Sequence, residues 1–293
     1  MVNNIKKMEA TKTKIKKNER PFDTCRLCLQ KKLLCKSHII TNAIYRRLKI
    51  HGDHHKFKFK NPITGKLDDR LNGIWEYLLC EECEMKLKVN EDPTIELIFN
   101  HESPNGKQLY DSRQEVFYQN YNAMASVFGW NDFSYFRKFI LGVLWKASIS
   151  KRKEFNHVKL DENSEEELRN WILNDEIGNP HKYAFNCLSI YRNNDAKDNV
   201  IFPFIKFLDN KSRSPFYLFG MGGLLFQIDY SNNCYISIIQ DAKVTNTVFP
   251  ILHVSYEYLL SFIQIDNRNS IFINPDLATN LNLGKANNDS SKL

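Results

Sequence analysis

Two cysteine pairs, Cys25-Arg-Leu-Cys28 and Cys80-Glu-Glu-Cys83, carry the clearest chemistry in this sequence. A Cys-x-x-Cys pair fits on one tight turn, and two such pairs supply the four thiolates that a tetrahedral zinc ion takes at about 2.3 Å. Between them lies His38, inside Leu33-Leu-Cys-Lys-Ser-His-Ile-Ile40. Glu84 follows the last cysteine directly, and Glu91 comes seven residues later. An imidazole can take a proton from water, and helix carboxylates can hold a divalent cation that stabilises developing charge. His51 and His54 could replace one cysteine pair on the zinc, but Cys80 and Cys83 complete the set without them. Cys35, Cys187 and Cys234 stand alone and read as small buried side chains.

The elements that must position these residues follow from the local pattern. Leu33 to Ile40 suits a strand or hairpin after the first cysteine turn, and Thr41 or Asn42 could cap a helix through Ile44, Tyr45 and Leu48. Residues 51–73 look like a solvated ribbon or loop. There Lys56-Phe57-Lys58-Phe59-Lys60 alternates, placing three lysines on one strand face. That face suits a phosphate-tracking ribbon, and equally a half-buried strand with a solvated side. The second cysteine pair opens a helix near Glu81, which Pro93 is expected to stop. On it Glu84 and Glu91 share a face; they could hold a metal, or Glu84 could simply complement the helix dipole.

Further along, residues 98–112, with Asn105-Gly106, read as a turn or linker and a soft domain boundary. Residues 132–150 give the strongest helical period, through Phe133, Phe136, Ile140, Val143, Leu144 and Ala147, with Asp132 as candidate cap. Trp145 belongs to that core material and is not read as a platform for bases. Ser164-Glu-Glu-Glu167 resembles a capping box before a second helix. Strands are expected at 183–191, 200–207, 216–219, 223–229 and 234–240, and a helix near 254–264. Gly220-Met-Gly-Gly223 lacks the spacing and the Lys-Ser or Lys-Thr of a phosphate loop and reads as a hairpin turn.

The chain has 293 residues, 42% of them hydrophobic, enough for one large or two ordinary cores. Of its formal +7 charge, all but +2 lies in residues 1–20, a Lys-rich tail expected to be disordered. The tail is either a solubilising leader or an arm that attracts phosphates. No apolar run could span a membrane and the N-terminus lacks a secretory apolar core, so a cytoplasmic location is expected. In that reducing setting the seven cysteines point to metal rather than disulfides.

The order Cys-x-x-Cys, strand with His, long insert, Leu78-Leu79-Cys-x-x-Cys, helix resembles the HNH endonucleases of the treble-clef, ββα-metal type, over residues 22 to about 92. The resemblance implies Cys25, Cys28, Cys80 and Cys83 as structural zinc ligands and His38 as general base. It implies Glu84, with Glu91, as ligand of a catalytic Mg²⁺ or Mn²⁺, and a strand Asn that orients the His. Three positions depart from the family pattern: its acid before the His is Ser37 here, its Asn position is Trp75, leaving Asn72 or Asn61, and Glu84 stands where its last metal ligand is commonly His or Asn. With Phe136-x-x-Phe139-Ile140-x-x-Val143-Leu144-Trp145-Lys-Ala147-Ser148, the chain is similar to bacterial HNH-like proteins that look like anti-phage defence effectors. The expectations are then an α+β protein cleaving DNA. Residues 21–100 would form the zinc module, and a helical plus β-sheet region at 110–282 would serve as sensor, partner-docking or homodimer surface. A polar tail would occupy 283–293. The alternative is a non-catalytic zinc module that binds nucleic acid through Lys56, Lys58 and Lys60, or a regulatory protein.

Overall fold

The computed structural model describes residues 20–50, 56–60, 67–100, 114–118, 123–179, 182–183, 185–191, 200–208, 215–221, 224–229, 248–255, 263–265 and 271–273. The tails, His51, His54, Asn61, the 234–240 strand expectation and most of 98–112 lie outside them. The protein is α+β.

A small antiparallel sheet carries the cysteines. Strands β1 (Phe22–Thr24), β2 (Lys31–His38) and β5 (Trp75–Cys80) lie in the order β1-β2-β5. Helix α1 (Asn42–Ile50) follows β2, with Thr41 at its cap position accepting from Ile44 N at 3.1 Å. The register of β2 against β5 shifts between Leu34 and Lys36. This bulge decides which side chains face inward: Leu34 and Ser37 are buried, three apart instead of two, while Lys36 stays exposed.

Helix α2 (Glu81–Asn100) starts where β5 ends and runs through Pro93 instead of stopping there. Proline lacks the N–H for one helical bond, but the Thr94 hydroxyl donates to the Asn90 carbonyl at 2.8 Å, and Thr94 and Ile95 are buried. Tertiary burial outweighs the local break. Helix α3 (Trp130–Ile149) begins two residues before the expected cap, Asp132. The expectation of a one-sided stripe gives way to a helix buried on every side from Phe139 onward, Trp145 included at 1% exposure. Helix α4 (Glu162–Leu173) is capped by Asp161, which accepts from Ser164 N at 2.9 Å, so the cap lies three residues before the expected Ser164.

The larger sheet has nine strands: β3 (Phe57–Lys60), β4 (Leu67–Arg70), β6 (Gln114–Tyr118), β7 (Ala123–Gly129), β8 (Phe185–Tyr191), β9 (Val200–Leu208), β10 (Pro215–Met221), β11 (Leu224–Asp229) and β12 (Val248–Ser255). Their order is β4-β3-β9-β10-β11-β8-β12-β7-β6. The hairpin β3–β4, from the insert between the cysteine pairs, pairs in parallel with β9, so ranges 21–100 and 110–282 share one sheet. Met221 pairs with Leu224, so the glycine run does form a two-residue hairpin connection. The helix expected near 254–264 is not formed by the described residues there. Val254 and Ser255 end β12, and Ile263–Ile265 is strand β13, paired with β14 (Ile271–Ile273). β12 lies between β7 and β8, and at Val254 and Ser255 pairing with β8 overrides the local helical spacing.

Candidate metal centre

The first cysteine pair sits in the turn between β1 and β2; the second spans the end of β5 and the first turn of α2. The turn closes through Leu29 N on the Cys25 carbonyl at 2.9 Å, with Leu29 in the left-handed region at φ 60°. Arg26 N donates to the Leu78 carbonyl at 2.9 Å, tying the turn to β5. Arg169 of α4 donates to the Leu27 carbonyl at 2.6 Å, locking it from outside. The four Sγ atoms all lie within 4.8 Å of one another, and Cys28 and Cys80 are 3.9 Å apart. Four thiolates about 2.3 Å from one tetrahedral ion stand about 3.8 Å apart, so the set fits a zinc-type metal. Cys80 N also donates to Cys25 Sγ at 3.3 Å, a bond that favours the thiolate.

The electrostatics of the four thiols suit a bound cation. A hydrogen bond from the Cys83 thiol brings Cys25 down to about 4. Cys83 is pushed far up by that same contact, and burial pushes Cys80 up to about 11. A bound cation would favour the thiolate form of the remaining cysteines.

Beyond Cys83 the same helix meets a second group of charges. Glu84 is half-buried and its carboxylate bonds the Ser37 hydroxyl, which accepts from Leu79 N at 3.1 Å. Burial raises Glu84 above the usual carboxylate range, and its Oε1 finds no hydrogen-bond partner among the described residues. Two turns on, Glu91 accepts from Lys146 Nζ of α3 at 3.3 Å. Lys146 is 2% exposed and also donates to the His38 carbonyl at 2.8 Å. One ammonium thus ties α2, α3 and β2 together.

His38 closes β2 opposite Trp75. Its ring centroid lies 6.1 Å from that of Tyr45, and the carboxylate whose charge acts on it is Glu91. Burial first, then the Lys146 ammonium, lower its pKa to about 4, so it is neutral at pH 7. Tyr45 itself is seated by Gly73, where a Cβ would stand 2.2 Å from the Tyr45 ring. On the same strand face Lys36 Nζ sits 4.7 Å over the Trp75 ring.

The structure therefore brings together His38, Glu91 and, through Lys146, Glu84. Asn72 is exposed on the bend before β5. Phe57 and Phe59 are buried, as the alternation in β3 requires, and Lys56 precedes the strand; the side chains of Lys58 and Lys60 lie outside the described residues. Sequence reasoning missed Lys146 as a site residue. Its signal was a lone cation inside the apolar run Phe139–Ile149.

A second, divalent metal was expected at Glu84 and Glu91, and the residues present do not fit it. Glu91 is already paired with Lys146, whose charge also acts on Glu84, and the acid expected before His38 is Ser37. At an effective dielectric of 20, a divalent ion about 4 Å from an ammonium meets a repulsion of about 8 kcal/mol.

No protein-family model, no curated protein and no solved structure matches this chain. Among the described residues no helix is long and apolar enough to cross a membrane.

Proposed function

We propose that the cysteine-held module is an HNH-like, treble-clef nuclease that hydrolyses phosphodiester bonds in DNA, with zinc as scaffold and His38 as general base. In a bacterial setting its role would be that of an anti-phage defence effector. Support comes from one arrangement: a cysteine turn, then antiparallel β2 and β5 with a neutral His38 at the end of β2, then a helix whose first turn completes the cysteine set. The zinc supplies rigidity: it fixes the start of α2 against β5 and thereby the height of Glu91 beside His38.

In this reading the free lone pair of His38 takes the proton of a water that attacks phosphorus, and the alkoxide leaves with a proton from solvent. At about 4, His38 is a weak base in the free protein. A phosphate diester bound beside it would favour the imidazolium and draw its pKa upward. Lys36, exposed on the same face, offers a cation for that phosphate. The second reading, a non-catalytic zinc module that binds nucleic acid, is favoured by the engaged state of Glu91 and by Ser37 in place of an acid.

Plasmid DNA incubated with the zinc-loaded protein, with and without Mg²⁺ or Mn²⁺, separates the two. Nicked or linear product that disappears in His38→Ala is the expected result. DNA that is bound but uncut under every metal condition would sink the nuclease reading in favour of the second.

A further inference from the structure

We infer that the Lys146 ammonium occupies the cation position between Glu91 and the His38 carbonyl, so that these oxygens take no divalent metal and the cysteine cluster at the start of α2 is the metal site of this helix. This goes beyond the nuclease reading and does not depend on it.

Four observations converge on the ammonium. Lys146 Nζ contacts Glu91 Oε1 at 3.3 Å and the His38 carbonyl oxygen at 2.8 Å, two oxygen donors of the kind a hard cation takes. It is 2% exposed, with its charge felt at both Glu84 and His38. The Lys146 charge also acts on the Glu84 carboxylate, whose buried Oε1 has no hydrogen-bond partner among the described residues. Finally, α3 is buried on all sides at this level, so Lys146 has no path to solvent without disrupting the packing against α2. A side chain that cannot withdraw leaves no room for a competing ion of the same sign.

The arrangement explains why Ser37 stands beside Glu84. Glu91 already balances the one positive charge of Lys146, and a further acid beside Glu84 would add uncompensated negative charge in the interior. A hydroxyl instead bridges the Leu79 amide and the Glu84 carboxylate and brings no charge.

The test is Mn²⁺ binding to zinc-loaded full-length protein, followed by the loss of the free Mn²⁺ electron paramagnetic resonance signal. It compares wild type, Lys146→Gln, and Lys146→Gln combined with Glu84→Gln and Glu91→Gln. Glutamine keeps a donor for the His38 carbonyl and removes only the charge. Lys146→Met is carried in parallel, and retention of one zinc per chain checks that each variant is folded. The expected result is one Mn²⁺ site in Lys146→Gln in excess of wild type, lost again in the triple variant, with affinity gained at least tenfold. Equal Mn²⁺ binding in wild type and Lys146→Gln would overturn the inference, whether that binding is present in both or absent from both. Because the measurement reads metal and not cleavage, its failure is distinct from failure of the nuclease reading.

Discussion

Helix α2 carries two groups of charge-seeking side chains within three turns, and they solve the same electrostatic problem in opposite ways. At its first turn Cys80 and Cys83 join Cys25 and Cys28, four thiols within 4.8 Å that could hold a metal ion. Glu84 follows directly in that turn, and two turns on Glu91 pairs with Lys146 of α3. The cysteine group could take an ion from outside; Glu91 has its cation supplied by α3. Ligand type alone thus does not decide whether a site takes metal: what matters is whether the fold has already delivered a charge to it.

The largest effect should come from removing the external ion. Chelating the zinc, or Cys80→Ser, is expected to unfold the β1-β2-β5 sheet, since structural zinc contributes on the order of 10 kcal/mol in folds of this size. Metal analysis should find about one zinc per chain, and circular dichroism before and after chelation reads the loss. A chain that stays folded and metal-free would break the comparison at its first term.

Removing the internal ion should cost less. Lys146→Met leaves buried carboxylates without their partner, a change expected to destabilise by about 3–5 kcal/mol in urea denaturation. Adding Glu91→Gln should recover part of that loss, because the pair is then removed as a unit. Additive losses from the two substitutions would show that the contact is not a coupled one.

A smaller effect follows from His38. Its folded-state pKa, about 4, lies below its ordinary 6.5, so the folded protein binds fewer protons than the unfolded chain between those values. Stability is therefore whole above about pH 6.5, declines as pH falls towards about 4, and changes no further below it through this group. The contribution is on the order of 3 kcal/mol at most. Zinc thiolates also weaken in acid, so the readout is the difference in Tm between wild type and His38→Gln across that range. Parallel curves would remove His38 from the buried charge group.

The smallest change tests a site remote from both groups. Asp161→Ala removes the α4 cap and should cost about 1 kcal/mol, with zinc content unaltered. A loss of zinc in that variant would show that Arg169, on the same helix, holds the cysteine turn more tightly than its one carbonyl bond suggests.

The cysteine cluster was legible in the sequence because each pair is local: two thiols three residues apart present themselves on one turn whatever the rest of the chain does. Helices α2, α3 and α4 were legible from apolar spacing, although their ends moved. Pro93 is carried inside α2, and the caps fall at residues the pattern did not favour, because burial and side-chain bonds settle the ends. The helix expected near 254–264 overlaps β12 only at Val254 and Ser255, whose pairing with β8 is invisible to a local period.

What the sequence could not set is the charge arrangement beside the metal. The contacts of Lys146 with Glu91 and with the His38 carbonyl span 55 and 108 residues of chain, and the bulge before Lys36 that turns Ser37 inward exists only against β5. Side-chain type determined that a cation was needed on this helix. Only the packing of α3 against α2 and β2 decided that one of the two cations is a lysine.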